Sequence, residues 1–164
     1  MAILPIVRYP HPVLRTRARP INKMTAAIRR LIDDLAETMY ASPGTIGLAA
    51  PQVGQALRLI VVDVSRKEQG HGLVVLINPL IKASGDRRIV REGCLSLPDY
   101  TANVGRAQRV FVTGVNPSGH TLRFQVEGIE AVCFQHEVDH LDGLLFLDRV
   151  ESLKTDIFRR KRYL

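Results

Sequence analysis

The sequence predicts an α+β fold in which strands surround a central helix carrying a metal-binding motif. Three observations predict it. Met24, Ile28, Leu31, Ile32, Leu35 and Met39 recur at three- and four-residue intervals, the spacing of one helical stripe. A second stripe starts near Gly128, and between the two lie aliphatic and β-branched runs bounded by Gly, Pro and Asn turns, as strands are. No internal repeat or low-complexity run interrupts the 164 residues, a length that suits a single catalytic domain over residues 1–164.

Taken in order, the opening Pro10-His11-Pro12-Val13-Leu14-Arg15 is too rich in proline for a helix and reads as an extended arm. The first helix runs from Met24 to Tyr40, and Ser42-Pro43-Gly44 stops it. Leu57–Val64 and Leu73–Ile81 read as two strands with a hairpin-like connection. Further strands fall near Ile89, over Arg109–Val115 and over Thr121–Val126, the last two joined by the turn Asn116-Pro117-Ser118-Gly119. The second helix spans Gly128 to Leu141 and ends at Asp142-Gly143. Leu153, Ile157 and Leu164 predict a third, short helix over Glu151–Leu164.

Composition narrows the class. With 46% apolar and 24% charged residues the chain is neither collagen-like, disordered nor coiled-coil. Its longest apolar runs, such as Leu59–Val62 and Leu73–Ile77, fall far short of the ~20 residues of a membrane span. The N-terminus lacks the pattern of a signal peptide, and Cys94 and Cys133 suit free thiols in a reducing cytoplasm. The net charge of +7 is unevenly placed. Residues 1–30 carry seven Lys/Arg and no acid, residues 149–164 six basic and two acidic residues, and residues 31–148 ten basic and fourteen acidic. A nucleic-acid enzyme is expected to gather positive charge around its centre, so sequence-specific nucleic-acid binding is not expected.

The second helix carries His136-Glu137-Val138-Asp139-His140, an H-E-x-x-H motif. Two histidines four apart share a helical face and can hold one metal, with Glu137 beside the open coordination position. The stripe Ile129, Val132, Cys133 leads into His136 and His140, so both imidazoles point inward; the plain alternative is a pair of core histidines. A third ligand is needed. Gly143 matches the glycine of the longer H-x-x-G-x-x-H pattern, but Phe146 stands where its histidine belongs. Glu151 and Asp156 lie too near to act as the downstream glutamate of another class, which leaves an upstream ligand. Cys94 is the candidate, since a thiolate binds Zn²⁺ or Fe²⁺ strongly, although a small buried apolar residue is the commoner fate of a lone cysteine. Cys133, one turn before His136, reads as a packing residue.

Three segments together carry a family resemblance: Ile46-Gly47-Leu48-Ala49-Ala50-Pro51-Gln52, Glu92-Gly93-Cys94-Leu95-Ser96 and Gln135-His136-Glu137-Val138-Asp139-His140-Leu141. In this order and spacing they resemble the bacterial-type peptide deformylases, and a weaker likeness extends over nearly the whole chain. The resemblance implies an α+β fold and hydrolysis of the N-formyl group from N-formylmethionyl nascent chains. It implies a divalent metal held by Cys94, His136 and His140, Fe²⁺ in the cell, for which Zn²⁺, Ni²⁺ or Co²⁺ can substitute. It implies catalysis by Glu137, with the Gln52 side-chain amide and the Leu95 backbone N–H as oxyanion donors. Gly47 and Gly93 are expected to pair with the peptide as an added strand. Ile46, Val90, Leu97, Val132 and Cys133 are candidates for the methionine slot, each equally explicable as core. Asp139 is expected to hold a ligand or an arginine, with Arg106 a candidate partner. Two positions depart from the family pattern: Thr45 stands where a glycine usually precedes the Ile, and Thr101 where relatives often carry an arginine.

Two other classes compete. A conventional zinc endopeptidase or aminopeptidase would use the same H-E-x-x-H but lacks its downstream ligand here. A binding module with a closed structural zinc would need a fourth tight ligand and leave Glu137 without a purpose. Arg159-Arg160-Lys161-Arg162 is expected to face outward from the closing helix, either as a contact to the ribosome surface or as a solvated helix end.

Overall fold

The computed structural model describes residues 1–161. Helix α1 (Ala26–Ala41) begins where Thr25 accepts a hydrogen bond from the Ile28 N–H and ends at Ser42. Strands β1 (Gly47–Ala49), β2 (Leu59–Val62), β3 (Val74–Cys94), β4 (Leu97–Val115) and β5 (Thr121–Glu127) follow, then α2 (Gly128–Leu141) and β6 (Ile157–Arg159). The sheet is antiparallel in the order β1-β2-β3-β4-β5, with β6 on the Tyr100–Ala102 part of β4. Helix α2 packs against all of β1 to β5, whereas α1 packs on β1 and β2.

Most boundaries lie within a few residues of the sequence prediction, because each apolar run also finds a core. Ile32, Leu35 and Met39 of α1 pack with Leu48, Leu59 and Val61, while Phe134 and Leu141 of α2 pack with Val62, Leu76 and Val110. Asn116 closes the β4–β5 turn by accepting from the Ser118 and His120 N–H groups.

Four expectations are corrected. The runs near Leu73–Ile81 and Ile89 form one long strand, since the polar stretch around Ser84–Arg87 is a register shift in the β3–β4 ladder rather than a break. The strand of Arg109–Val115 likewise starts much earlier, at Leu97. The opening arm is not wholly extended: Pro12–Arg15 makes one 3₁₀ turn, which tolerates proline at its start and buries Leu14 completely. The closing helix does not form within the described residues. Leu153 is 70% exposed and anchors nothing, while Ile157 and Phe158 pair with Ala102 and Thr101 as strand residues. Leu164, the third residue of the expected stripe, and Arg162 lie outside the described residues.

The arm also ties distant segments together. Val7, Tyr9 and Ala18 donate their N–H groups to the carbonyls of Gln52, Ser96 and Leu141, one residue from each of the three motif segments. Arg58 donates to the Leu141 carbonyl at 2.9 Å, placing a cation at the C-terminal end of α2.

Candidate metal centre and active site

The long β3–β4 hairpin turns at Leu95-Ser96, which sets Cys94 at the last position of β3, facing inward. On α2, His136 and His140 are one turn apart, their rings 5.0 Å between centroids. One donor atom from each of Cys94, His136 and His140 lies within 4.8 Å of the others. His140 Nε2 is 3.4 Å from Cys94 Sγ. His136 Nδ1 is bonded to Glu92 Oε1 at 2.8 Å, which leaves its Nε2 for the Cys94 side.

This donor set fits a divalent ion. Burial pushes the His140 imidazole well below its ordinary pKa, helped by the positive charges of His136 and Arg106, so it presents a neutral lone pair. Burial opposes protonation of His136 too, but its hydrogen bonds to Cys94 and Glu92 prevail and raise it well above its ordinary value. A positive charge is therefore favoured between the thiol and the imidazoles, and a thiolate with two imidazoles suits zinc or iron rather than a hard oxygen-seeking cation.

A buried ionic network fixes this geometry. Arg106 is 3% exposed and forks onto Glu92 with Nε–Oε2 at 2.6 Å and Nη2–Oε1 at 3.0 Å, while Nη1 reaches Asp139 at 2.7 Å. Arg149 closes the other side of Asp139 at 2.8 and 3.1 Å. The expected Asp139–Arg106 pairing is thus present, and it leads through Glu92 to the ring of His136. Arg106 and His136 hold Glu92 down to about 2 despite its burial, so the carboxylate stays ionised and orients the imidazole.

Glu137 sits beside the triad, 4% exposed. Burial raises it to about 7, and its Oε2 has no hydrogen-bond partner among the described residues. A carboxylate poised near neutrality with a free oxygen suits proton transfer, and a bound cation beside it would favour its ionised form. Gly47 explains how it fits. A Cβ at position 47 would lie 2.8 Å from Glu137 Oε1 and 2.5 Å from Cys133 Sγ, so only glycine lets β1 pack this close to α2.

Gln52 stands in the 3₁₀ turn Ala50–Val53, 2% exposed. Its Oε1 accepts from the Ala49 N–H at 3.0 Å, which fixes the amide so that Nε2 points at Cys94 Sγ (3.5 Å) and Ser96 Oγ (3.4 Å). A cavity of about 560 Å³ opens over Cys94, His136, Glu137 and Gln52, and Leu95 lies on its wall. Ile46, Gly47, Val90, Gly93, Val132 and Cys133 line it as well. Cys133 thus packs and lines the cavity together, and burial raises its thiol pKa. Leu97 does not reach the cavity. It turns instead into a cluster with Leu14, Ala102, Leu145 and Phe146, on the far side of the irregular hairpin end where the β3–β4 register shifts between Gly93 and Cys94. Among the contributors that were not foreseen are Ile129, at the start of α2, and Arg160, which enters from residues beyond β6. Ile129 was legible as part of the apolar stripe, whereas nothing local in the sequence brings residue 160 here.

Comparison with known proteins identifies the family. The polypeptide deformylase family model matches residues 3–156. A peptide deformylase of Syntrophobacter fumaroxidans is 50% identical over 161 residues, 98% of this chain and 94% of the relative. The peptide deformylase structure from Thermotoga maritima superposes with a TM-score of 0.85 at 38% identity, covering 93% of this chain and all of that one. A class I type b peptide deformylase from Acinetobacter baumannii, solved with Met-Ala-Ser bound, has a TM-score of 0.85 at 32% identity, covering 91% of this chain and 99% of its own. A hairpin cysteine, two helical histidines and a buried glutamate thus sit in a chain that matches this family over residues 3–156, and the protein belongs to the polypeptide deformylases.

Proposed function

We propose that this chain is a metal-dependent hydrolase that removes the N-formyl group from the N-terminal formylmethionine of nascent polypeptides and releases formate. The observation that carries the reading is the convergence of Cys94, His136 and His140 on one point beside the free oxygen of Glu137. These three residues would hold the ion, which supplies Lewis acidity and lowers the pKa of coordinated water. Glu137 Oε2 accepts the proton of the attacking water and then delivers it to the leaving amine. Gln52 Nε2 and the Leu95 N–H donate to the oxyanion that develops at the formyl carbon. Ile46, Val132 and Cys133 form the apolar wall for the methionine side chain. Gly47 and Gly93 offer main chain to the peptide on either side. The Acinetobacter relative with bound Met-Ala-Ser supports a peptide that starts with methionine. A formylated terminus carries no ammonium, so the site needs no acidic anchor for one.

The metal we assign is Fe²⁺, with Zn²⁺, Ni²⁺ or Co²⁺ able to replace it. A thiolate-bound iron loses activity in air through oxidation of iron or of Cys94. The experiment is formate release from a formyl-Met peptide by protein stripped of metal and reloaded anaerobically. Fe²⁺ should support the fastest turnover, Zn²⁺ a slower one, and the stripped protein none. Equal, oxygen-indifferent rates would remove the iron assignment, and cleavage of unformylated peptides without formate would favour the peptidase reading.

Residues 1–164 act as one catalytic domain in the cytoplasm, where the two free thiols remain reduced. Among the described residues no helix is long and apolar enough to cross a membrane. The basic end adds a second partner, the polyanionic ribosome surface, reached by non-specific attraction through Arg159, Lys161 and Arg162. Changing these three to Gln is expected to weaken ribosome co-sedimentation and flatten its salt dependence while free-peptide turnover is kept; unchanged co-sedimentation would leave them as ordinary solvated charges.

A further inference from the structure

We infer that Arg160 is a substrate-reading residue, donating hydrogen bonds to main-chain carbonyl oxygens of the peptide beyond its first residue. This rests on the deformylase reading and extends it to residues downstream of the methionine. The placement of Arg160 carries the inference. Its guanidinium lies against Gly93 on the cavity wall, so close that a Cβ at position 93 would collide with it. Gly93 adjoins Cys94, so Arg160 stands about one residue's length outward from the triad along the strand.

The backbone around it is arranged to receive an extended chain. Beyond Ile77, β3 has β4 on one side, and its other edge at Val90–Gly93 faces the cavity. β1 is the edge strand of the sheet, and Gly47 lies on the same cavity. A peptide entering between these edges passes under the Arg160 guanidinium as it leaves the triad.

The Arg160 backbone is held in place. Its N–H donates to the Asp99 carbonyl at 2.7 Å, and Phe158, two residues earlier, pairs with Thr101, the partner of Gly93. Arg91 locks that strand by lying 3.8 Å over the Phe158 ring while its own donors bind Asn103 and Thr101. Arg91 is therefore engaged, whereas the Arg160 guanidinium has no carboxylate or carbonyl partner among the described residues. A donor-only group carried by an anchored backbone and lying over Gly93 on the cavity wall selects acceptors, and carbonyl oxygens are what every nascent peptide presents there.

The test compares formyl-Met-Ala-Ser-amide with formyl-Met-amide, both without a free carboxylate, on metal-loaded enzyme. For Arg160→Gln the ratio of kcat/KM for the longer over the shorter substrate is expected to fall about tenfold, mainly through the KM of the longer one. Arg160→Lys, which keeps the charge and some donors, should recover part of that ratio. Arg159→Gln removes the same charge from a side chain that alternation points the other way, and should keep the wild-type ratio. A ratio unchanged in Arg160→Gln, or an equal loss for Arg159→Gln, overturns the inference while leaving the deformylase reading intact. No formate from the wild-type enzyme on either substrate would overturn that reading, and this one with it.

Discussion

Glu137→Ala binds its metal as the wild type does and loses ~10²–10⁴-fold in turnover of a formyl peptide, the usual share of general acid–base help. The reason is local. The donor atoms that would hold the ion belong to Cys94, His136 and His140 and survive the change, but the carboxylate oxygen without a partner among the described residues is gone. Glu137→Gln is the sharper variant. It preserves the close packing of residue 137 on Gly47 and Cys133, which the Ala change opens, yet it can no longer take a proton. Glu137→Gln should melt no lower than wild type in the metal-free form, because a neutral isostere removes the cost of a buried charge without opening a cavity. The measurement is formate release at matched metal occupancy, with metal content determined on the same samples. Near-wild-type turnover in a fully loaded Glu137→Gln would show that another group carries the proton.

Arg106→Met is expected to lower stability by about 3–5 kcal/mol, the range for removing one partner from a buried ion pair. Glu92 and Asp139, both more than nine-tenths buried, would be left facing each other across the gap. For a domain of this size the melting temperature should fall on the order of 10 °C. Metal affinity should fall with it, about 10–100-fold, because Glu92 loses the fork that holds it against His136 Nδ1. Arg106→Lys should recover little, since one ammonium cannot bridge two carboxylates as the guanidinium does. Calorimetry and a metal-competition titration check the two halves. A melting point within about 2 °C of wild type, too small for a loss of 1 kcal/mol, would show that Arg149 and His136 suffice to balance the two acids.

Residues that act through their neighbours in the chain were legible beforehand. The i, i+4 spacing of His136 and His140 needs only a helix to bring two imidazoles to one face, and the apolar stripe of residues 128–141 guarantees the helix. Ser42 marks the end of α1 for the same local reason, whereas the Thr25 cap that starts it one residue after Met24 was not read. Cys94 was reachable only by exclusion of downstream ligands and by resemblance, because 42 positions separate it from His136 and no periodicity spans that distance.

Other features were decided by tertiary packing. Leu97 packs in the Leu14–Phe146 cluster instead of lining the cavity, at a hairpin end whose register shift between Gly93 and Cys94 no local pattern announces. The closing helix failed because Phe158 found a strand partner in Thr101 and a cationic cover in Arg91, contacts that outweigh a weak helical spacing. That strand then delivers Arg160 to Gly93, a meeting of the chain's end with its middle. The sequence by itself thus determined the α+β class, the two helices and the shared face of His136 and His140, each carried by patterns local to one element. The Glu92 and Arg149 links that extend the expected Arg106–Asp139 pair, the seat of Glu137 against Gly47 and the position of Arg160 were settled by the folded chain alone. Each depends on side chains far apart in sequence meeting where water is excluded, and only there do their charges and volumes constrain one another.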